Sequence, residues 1–479
     1  MAEYPISRRY FFCGSLLAGA VPAAGFGSEP SLKRLGYKSP NEKLNIAAIG
    51  AGGKGASDIA GCETENMVAF ADPDTKRAER TYQKFDKAPK YTDFRKMLDK
   101  EDRNIDAVIV STPDHMHGMA SMWAMERGKH VYCQKPLTRT IWEARMLTQA
   151  AAKYKVATQM GNQGYSNEGT RQCAEMIWAG EIGNVTEVHG WTNRPIWPQG
   201  IESVPAGEPV PGNLEWDTWL GVAAQRPYSP AYAPFAWRGW FDFGCGALGD
   251  MACHILGAPN MALMLGAPTS VECLKQEGRS KVTFPKKSVI RFDFPARGSM
   301  PPVKLIWHDG CMEAPFRPDG LDPGEILGDL PRQRPAQAQA ARTGNDSNAR
   351  LDDQVRRMAN RGSNGSLFIG DKGILTTGTY GEGTRLLPAA KMEGYKFPAQ
   401  FLTRSPGHYR DWIRAAKGGD RACSDFAIAG PFTEWILLGV LALRFEGKLE
   451  WDSAKMRITN NAEANQFVKP VLRKGWQFS

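Results

Sequence analysis

A glycine-rich turn between an apolar strand and a helix constrains the fold of this chain more than any other feature. Residues 43–49 (KLNIAAI) read as a buried strand, and the turn Gly50-Ala51-Gly52-Gly53-Lys54-Gly55 follows at once. A second apolar strand over residues 67–71 leads into Asp72, twenty residues after Gly52. Strand, Gly-x-Gly-x-x-Gly turn, helix, strand and acid in this order predict a dinucleotide-binding βαβ unit.

The glycines of this turn are predicted to hold the phosphates of a bound dinucleotide. The first permits the tight turn, the second lets backbone N–H groups approach the pyrophosphate, and the last lets helix and strand pack closely. The N-terminus of the helix adds a favourable field for the phosphates. The predicted cofactor-binding glycines are Gly50, Gly52, Gly53 and Gly55.

Asp72 determines which cofactor we expect. Its carboxylate would accept hydrogen bonds from the adenosine ribose and would repel a 2′-phosphate, which favours NAD over NADP. Lys76 and Arg77 lie close by in sequence and keep NADP as the alternative.

Strands and helices continue to alternate up to residue 161, which predicts a doubly wound parallel sheet. Further strands are read at 105–110, 129–133 and 156–160. Ligands of such sheets bind outside the carboxyl ends of the strands. The residues just beyond those ends are therefore predicted to line one crevice around the cofactor: Ser111, Thr112, Pro113, His117, Lys135, Asn162 and Gln163. For His117 two interpretations remain, a place beside the nicotinamide or a packing role in its own helix.

Three motifs together resemble the glucose–fructose oxidoreductase and inositol dehydrogenase (Gfo/Idh/MocA) family. They are the glycine turn, the Lys135-Pro136 step after a strand, and residues 246–254 (GALGDMACH) with an Asp-x-x-x-His pattern. The resemblance covers residues 42–479. It implies a Rossmann domain at 42–161 and a substrate and oligomerisation domain at 162–479. The family usually has Glu-Lys-Pro where this chain has Gln134-Lys135-Pro136, so the lysine loses a neighbouring charge.

The Asp-x-x-x-His segment supplies the candidate acid–base chemistry. Asp250 and His254 are four residues apart, so their side chains share one helix face. Hydride removal from a secondary alcohol needs a group that takes the hydroxyl proton, and histidine suits this near neutral pH. Asp250 would orient His254 or bind a substrate hydroxyl, and Lys135 would stabilise charge on the reacting oxygen. The resemblance implies the same catalytic trio.

The second half is predicted to be an α+β domain with a large open, mainly antiparallel sheet. Strands are read from residues 187, 270, 288 and 303 and around 367–377. The family uses the free face of this sheet for oligomer contacts, so the resemblance implies a homodimer or homotetramer. Residues 315–362, rich in Arg, Gln, Ala and Pro, predict a surface insertion.

Loops ahead of the Asp250 helix carry aromatic and basic residues that suit a carbohydrate. Sugar C–H faces pack on indole rings, while polar neighbours take the hydroxyl groups. The candidate substrate-binding residues are Arg194, Trp197, Trp237 and Arg238. The tryptophans at 216, 219 and 240 lie in the same stretch.

The first 28 residues are predicted to be a twin-arginine export signal. Arg8-Arg9 and Phe11 precede an apolar stretch from Cys13 to Ala24. This predicts a periplasmic protein that engages the twin-arginine machinery, which exports proteins already folded with their cofactor. The 60 basic and 51 acidic residues are scattered, so nucleic-acid binding is not predicted. No Cys-x-x-Cys pair occurs, and no metal site is predicted.

The predicted function is an exported NAD(P)-dependent oxidoreductase that transfers hydride at a ring hydroxyl of a sugar, glycoside or cyclitol. Because free NAD is expected to be scarce outside the cytoplasm, the cofactor would have to stay tightly bound. The alternative is a redox-neutral NAD-dependent glycosidase or lyase, which oxidises a sugar carbon transiently, eliminates the aglycone and reduces the carbon again. In that case Lys135, His254 or a tyrosine such as Tyr165 would shuttle protons. A non-catalytic sugar-binding protein is the lesser alternative.

Overall fold

The computed structural model describes residues 42–331 and 362–478. The predicted export signal at 1–28 and residues 332–361 of the predicted insertion lie outside the described residues. Within the described ranges, no helix combines the length and the hydropathy needed to cross a membrane.

The N-terminal half contains a six-stranded parallel sheet in the order β3-β2-β1-β4-β5-β6. Its strands are β1 Asn45–Ile49, β2 Asn66–Ala71, β3 Lys90–Tyr91, β4 Ala107–Val110, β5 His130–Cys133 and β6 Thr158–Met160. The chain winds outward from β1 in one direction and from β4 in the other, so the crevice between these two strands is the topological switch point. The predicted doubly wound sheet is confirmed.

Five helices connect these strands and cover both faces of the sheet. They are α1 Lys54–Gly61, α2 Thr75–Lys84, α3 Phe94–Glu101, α4 Asp114–Glu126 and α5 Ile141–Tyr154. Asp74 and Asp93 cap the starts of α2 and α3 by accepting backbone N–H bonds. Thr140 and Glu143 form a reciprocal capping box at the start of α5. Local sequence thus sets where these helices begin.

The second half contains a nine-stranded sheet in the order β13-β12-β11-β7-β10-β9-β8-β14-β15. The strands are β7 Val185–Trp191, β8 Ser270–Glu277, β9 Lys287–Phe294, β10 Val303–His308, β11 Gly365–Gly370, β12 Ile374–Thr377, β13 Arg385–Leu387, β14 Lys448–Asp452 and β15 Arg457–Ile458. Apart from the parallel β7–β10 pair, neighbouring strands are antiparallel. The predicted mainly antiparallel sheet is confirmed.

The helices described after β6 are α6 Glu168–Trp178, α7 Trp216–Leu220, α8 Gly246–Ile255, α9 Gly257–Ala262, α10 His408–Ala416 and α11 Phe426–Ala442. Two of them, α8 and α11, contact strands of the nine-stranded sheet. Along β9 every second residue is buried, and Phe292 and Phe294 pack against Trp435 of α11. Leu321 and Leu327, from the described part of the predicted insertion, pack against Trp191.

The C-terminal helices also complete the N-terminal half. Trp412, Ile413 and Ala416 of α10 join the apolar cluster on the face of the parallel sheet that contains Ile46 of β1. Trp412 lies 5.7 Å from the ring of Tyr132 in β5. On the other side, α11 packs along α5. The stretch after residue 408 therefore contributes to both halves of the molecule.

Candidate active site

A cavity of about 570 Å³ lies between the carboxyl ends of the parallel strands and the second half. It brings together nearly all of the predicted site residues. Those that line it are Gly50, Gly52, Gly53, Asp72, Ser111, Thr112, Pro113, His117, Lys135, Gln163, Arg194, Trp197, Trp237, Arg238, Asp250 and His254. Gly55 and Asn162 do not line it. The crevice expected at the strand ends is therefore present, and residues of the second half close its far side.

The glycine turn forms a cradle that fits a dinucleotide. Gly50 has φ of 87° and Gly53 has φ of 53°, conformations that residues with a side chain rarely adopt. A Cβ at Gly52 would lie 2.5 Å from the Arg77 carbonyl oxygen. Gly53 provides no side-chain cap for α1, so no capping side chain occupies the N–H groups at the start of this helix. The turn thus offers the space that a pyrophosphate needs beside the start of α1.

Replacing Gly55 by alanine is expected to destabilise the protein and to abolish nucleotide binding. The new Cβ would overlap the carbonyl oxygen of Gly50, and the backbone must move to relieve the clash. Overpacking of this kind costs about 1–3 kcal/mol or more. A thermal melt and the nucleotide content of the purified protein measure the effect. Gly266→Ala is the control, because no atom lies within 4 Å of its new Cβ. Full nucleotide content in the Gly55 variant would contradict the prediction that the clash with Gly50 disrupts the nucleotide-binding turn.

Asp72 is buried at the edge of the cradle and holds it in shape. Its Oδ2 accepts hydrogen bonds from the backbone N–H groups of Ala51 and Gly52, at 2.8 and 3.2 Å, and its Oδ1 accepts one from Asp74 at 3.0 Å. Burial raises the pKa of the Asp72 carboxyl to about 6, against the effect of these donors. The acid lines the cavity, where the predicted ribose contact requires it. Arg77 lies across Gly53, which keeps NADP as the alternative.

Gln134 points away from Lys135 Nζ and toward a buried carboxylate on α1. Its Nε2 donates to Asp58 Oδ2 at 2.9 Å, and Ser111 Oγ donates to the same oxygen at 2.8 Å. Lys54 and Tyr409 contact the other oxygen. A glutamate at position 134 would place a second negative charge against Asp58, which is fully buried. The amide is thus the group that fits this chain.

Lys135 and Asp250 form an ion pair across the cavity between the two halves. Lys135 Nζ donates to Asp250 Oδ1 at 2.7 Å and to the Asp250 carbonyl oxygen at 2.8 Å. Burial alone would raise the pKa of the Asp250 carboxyl, but Lys135, Arg238 and Arg194 hold that pKa well below its usual range. Asp250 is therefore the counter-ion of Lys135. The lysine has an acidic partner although position 134 is glutamine instead of the family's usual glutamate.

His254 does not receive the orienting contact expected from Asp250. Its Nδ1 is buried without a hydrogen-bond partner among the described residues, because the Asp250 carboxylate is engaged by Lys135. Burial, together with the charge of Lys135, lowers the pKa of the imidazole well below its usual value. The Tyr380 ring contacts the imidazole edge to face, with centroids 4.8 Å apart. A neutral histidine thus lines the cavity.

His117 links two of the strand ends that form the cavity wall. Its Nδ1 lies 2.7 Å from the Pro136 carbonyl oxygen and its Nε2 lies 2.9 Å from that of Thr112. Burial lowers the pKa of this imidazole to about 4. These contacts favour the packing interpretation of His117, with the added effect that the ring fixes the backbone next to Lys135.

Several expected contacts are not made. Asn162 is fully buried, accepts a hydrogen bond from Ser424 at 2.6 Å and donates to the Cys253 carbonyl oxygen at 3.4 Å, so its role is structural. Tyr165 lies outside the cavity lining and accepts a bond from Asn260 at 2.6 Å. Of the four tryptophans between 216 and 240, those at 219 and 237 line the cavity, whereas those at 216 and 240 pack in an aromatic cluster beside it.

Tyr380 and Asp114 lie in the cavity wall and were not among the predicted site residues. Tyr380 follows β12 in a turn between Gly378 and Gly381, and this glycine spacing after a strand is the only local sign of a site. Asp114 is the first residue of α4, and burial raises the pKa of its carboxyl to about 7.

Comparisons with known proteins identify the family. Two family models match, the oxidoreductase family NAD-binding Rossmann fold over residues 44–162 and the oxidoreductase family C-terminal alpha/beta domain over residues 176–276. Inositol 2-dehydrogenase 4 of Saccharopolyspora erythraea is 27% identical over 208 residues, which are 40% of this chain and 60% of that protein. Levoglucosan dehydrogenase of Pseudarthrobacter phenanthrenivorans is 24% identical over 229 residues, 45% of this chain and 50% of that protein.

A third relative carries a different activity in its name. A glycosyl hydrolase family 109 protein of Solibacter usitatus is 29% identical over 189 residues, 36% of this chain and 41% of that protein. The chain thus matches about half the length of these curated relatives.

Solved structures share the fold at low sequence identity. The WlbA dehydrogenase from Bordetella pertussis, in complex with NADH and UDP-GlcNAcA, has a TM-score of 0.54 and 13% identity over 86% of this chain and 99% of that one. An inositol dehydrogenase homolog from Azotobacter vinelandii, complexed with NADH and myo-inositol, has a TM-score of 0.51 and 16% identity over 87% and 100% of the two chains. With the NAD-binding Rossmann model matched over residues 44–162 and the C-terminal domain model matched over residues 176–276, the chain belongs to the Gfo/Idh/MocA oxidoreductase family.

Proposed function

We propose that this protein is an NAD-dependent oxidoreductase that acts on a ring hydroxyl of a sugar, glycoside or cyclitol. The observation that carries the proposal is the single cavity in which the dinucleotide cradle meets Lys135, Asp250 and His254. Relatives named for dehydrogenation of inositol and levoglucosan support the same chemistry. NADP remains the alternative cofactor.

Lys135, Asp250 and His254 would have different roles in alcohol oxidation. Bound NAD would supply the hydride acceptor. Lys135 is positioned by Asp250, and its ammonium would donate a hydrogen bond to the substrate oxygen and stabilise negative charge there. The neutral imidazole of His254 would accept the hydroxyl proton. Trp219 and Trp237 contribute apolar surface to the wall of the cavity.

A segment of the second half, residues 200–243, supports tight retention of the cofactor. This covering segment crosses to the loop after β2, beside Asp72. Thr75 N donates to the Asn213 carbonyl oxygen at 3.0 Å, and Glu215 N donates to the Pro73 carbonyl oxygen at 2.9 Å. Farther along, Trp219 and Phe235 line the same cavity. Because the segment is attached at the ribose end, a bound dinucleotide would leave only after these contacts open.

Nucleotide content and product analysis test the proposal. We expect about one nicotinamide nucleotide per chain to be released when the purified protein is denatured. In a separate sample of folded protein, addition of free sugars and cyclitols should change the absorbance of reduced nicotinamide. Protein that neither retains nor binds such a nucleotide would overturn the proposal. Sugar binding without any reaction would instead indicate the non-catalytic binding protein.

A redox-neutral NAD-dependent glycosidase or lyase is the second candidate, because one relative is named a glycosyl hydrolase. The same cavity residues would serve a transient oxidation. Release of the aglycone from aryl glycosides without an added electron acceptor would identify this activity. Turnover of free sugars that requires an acceptor would identify the dehydrogenase.

We also propose export through the twin-arginine route to the periplasm. Changing Arg8 and Arg9 together to lysine is expected to block export, because the adjacent arginines are the recognised feature of such signals. Cell fractionation followed by immunoblotting measures the exported fraction. Arg34→Lys, outside the motif, serves as the control. Undiminished export of the double variant would show that the signal is of another type.

Association into a homodimer or homotetramer is proposed to use the second face of the nine-stranded sheet. Val289 and Ile306 are only partly buried on this face, and Lys304 is exposed beside them. Light scattering of the purified protein gives the mass directly, and a monomer at micromolar concentration would overturn this assignment.

A further inference from the structure

Positive charge exceeds negative charge at the end of the cavity that surrounds Lys135. Three cations converge on the carboxylate of Asp250. Lys135 Nζ lies 2.7 Å from Oδ1, Arg238 Nε lies 3.8 Å from Oδ1, and Arg194 Nε lies 3.8 Å from Oδ2. One carboxylate therefore serves as counter-ion to three basic side chains.

The remaining titratable groups of the cavity end do not restore the balance. His254 is neutral, because burial lowers its pKa well below the usual value. Burial raises the pKa of Asp114 to about 7, so this carboxyl is only partly ionised at neutral pH. Even with Asp114 fully ionised, three cations face two carboxylates. Tyr380 is uncharged, since burial raises its pKa.

Arg238 is the cation whose charge is least well compensated. Its Nη1 donates to the Phe235 carbonyl oxygen at 3.1 Å, and its guanidinium lies 4.1 Å from the ring centroid of Trp237. The 3.8 Å separation from Asp250 is too long for a hydrogen bond. Within the described residues Nη2 has no hydrogen-bond acceptor. A half-enclosed cation without a bonded anion is costly, and a ligand anion would offset that cost.

We propose that the substrate is a sugar bearing a carboxylate, and that Arg238 binds this carboxylate. The planar guanidinium presents donors in a fork that matches a carboxylate. Trp197 and Trp237 line the same cavity and give its wall apolar surface beside the guanidinium. The inference rests on the proposed function, because it assumes that the substrate occupies this cavity.

Calorimetric binding to the purified protein with its retained nucleotide tests the inference. The probes are matched methyl glycosides, namely glucuronide against glucoside and galacturonide against galactoside. We expect at least one acid to bind about 10-fold or more tightly than its neutral partner, as for a charge-assisted hydrogen-bonded pair. This advantage should shrink as the salt concentration rises.

Variants separate Arg238 from the general charge of the cavity. Arg238→Gln is expected to remove the advantage of the acid, while Arg238→Lys keeps part of it. Arg279→Gln is the matched control, because Arg279 is exposed, pairs with Glu446 and lies outside the cavity. If Arg238→Gln does not fold, the lysine variant and the salt dependence of the unaltered protein still decide the question.

The outcomes distinguish this inference from the proposed function. If no acid binds more tightly than its neutral partner, the inference is wrong. Tighter binding of the matching 6-phosphate than of the uronate would assign the anion to a phosphate and overturn the carboxylate. If the protein retains nucleotide but turns over only neutral sugars, this inference is wrong and the proposed oxidoreductase function stands. Absence of nucleotide binding would remove the oxidoreductase itself.

Discussion

Lys135→Ala is expected to lower kcat/KM about 10²–10⁴-fold with the bound nucleotide still in place. The ammonium is the cation that the structure joins to Asp250 at the reaction end of the cavity, and its loss removes stabilisation of charge on the substrate oxygen. A loss of this size corresponds to about 3–5 kcal/mol of transition-state stabilisation. Arg194 and Arg238 remain beside Asp250, so its carboxylate is not left without counter-charge and the fold should persist.

Steady-state kinetics and nucleotide content measure this effect together. Lys135→Arg keeps the charge and should recover part of the activity. Lys455→Ala is the control, because Lys455 is a largely exposed surface lysine. Near-normal turnover in Lys135→Ala would remove this lysine from the mechanism.

His254→Ala is expected to lower kcat by a similar factor, about 10²–10⁴-fold, because it removes the proton acceptor. The pKa of His254 is held well below its usual value by burial first and by Lys135 second. The imidazole of the unaltered protein therefore stays neutral through mildly acidic pH. We expect no loss of activity centred near pH 6.5 from protonation of this residue.

A pH–rate profile of the unaltered protein and of His254→Gln checks both parts of this prediction. Glutamine keeps much of the volume and a hydrogen-bonding group, but it cannot take up a proton in this pH range. An inflection near pH 6.5 that disappears in the glutamine variant would contradict the low pKa. Undiminished kcat in either variant would contradict the role as base.

The residues at the carboxyl ends of the parallel strands could be located from the sequence. Gly50, Asp72 and Lys135 each follow an apolar strand, and parallel strand ends necessarily meet at one edge of a sheet. The exception is Asn162, which also follows a strand, but its side chain forms hydrogen bonds with Ser424 and with the Cys253 carbonyl oxygen. Position at a strand end predicts proximity to the crevice, but the partners supplied by other segments decide whether a side chain faces it.

Contacts between distant segments could not be read from local patterns. The spacing of Asp250 and His254 places them on one helix face, yet Lys135 from the other half competes for the carboxylate and holds it. An ion pair outcompetes a bond to a neutral imidazole. Tyr380 reaches His254 from a turn far along the chain, and only the packing of the nine-stranded sheet brings it there.

Sequence patterns also do not distinguish residues that line a ligand cavity from residues that pack in an ordinary core. Trp216 and Trp240 occur in the same aromatic stretch as Trp237 but do not line the cavity. Trp216 stacks on Trp219, and Trp240 contacts Tyr232 edge to face in a buried cluster. Gln134 is a second example. Sequence alone relates its departure from the family motif to Lys135, whereas in the structure its amide donates to Asp58, four positions along a helix from Lys54.

The return of α10 to the first sheet sets the order in which the molecule is completed. Ile46 and Tyr132 share a buried cluster with Trp412 and its neighbours, so the nucleotide-binding half lacks part of the cover on this face until residues 408–416 have been synthesised. The C-terminal part of the chain thus packs into the N-terminal half, so the two halves are not separate consecutive units. A truncated product that ends at residue 161 would present part of this apolar face to chaperones and proteases, because the residues of α10 that complete the cluster are missing.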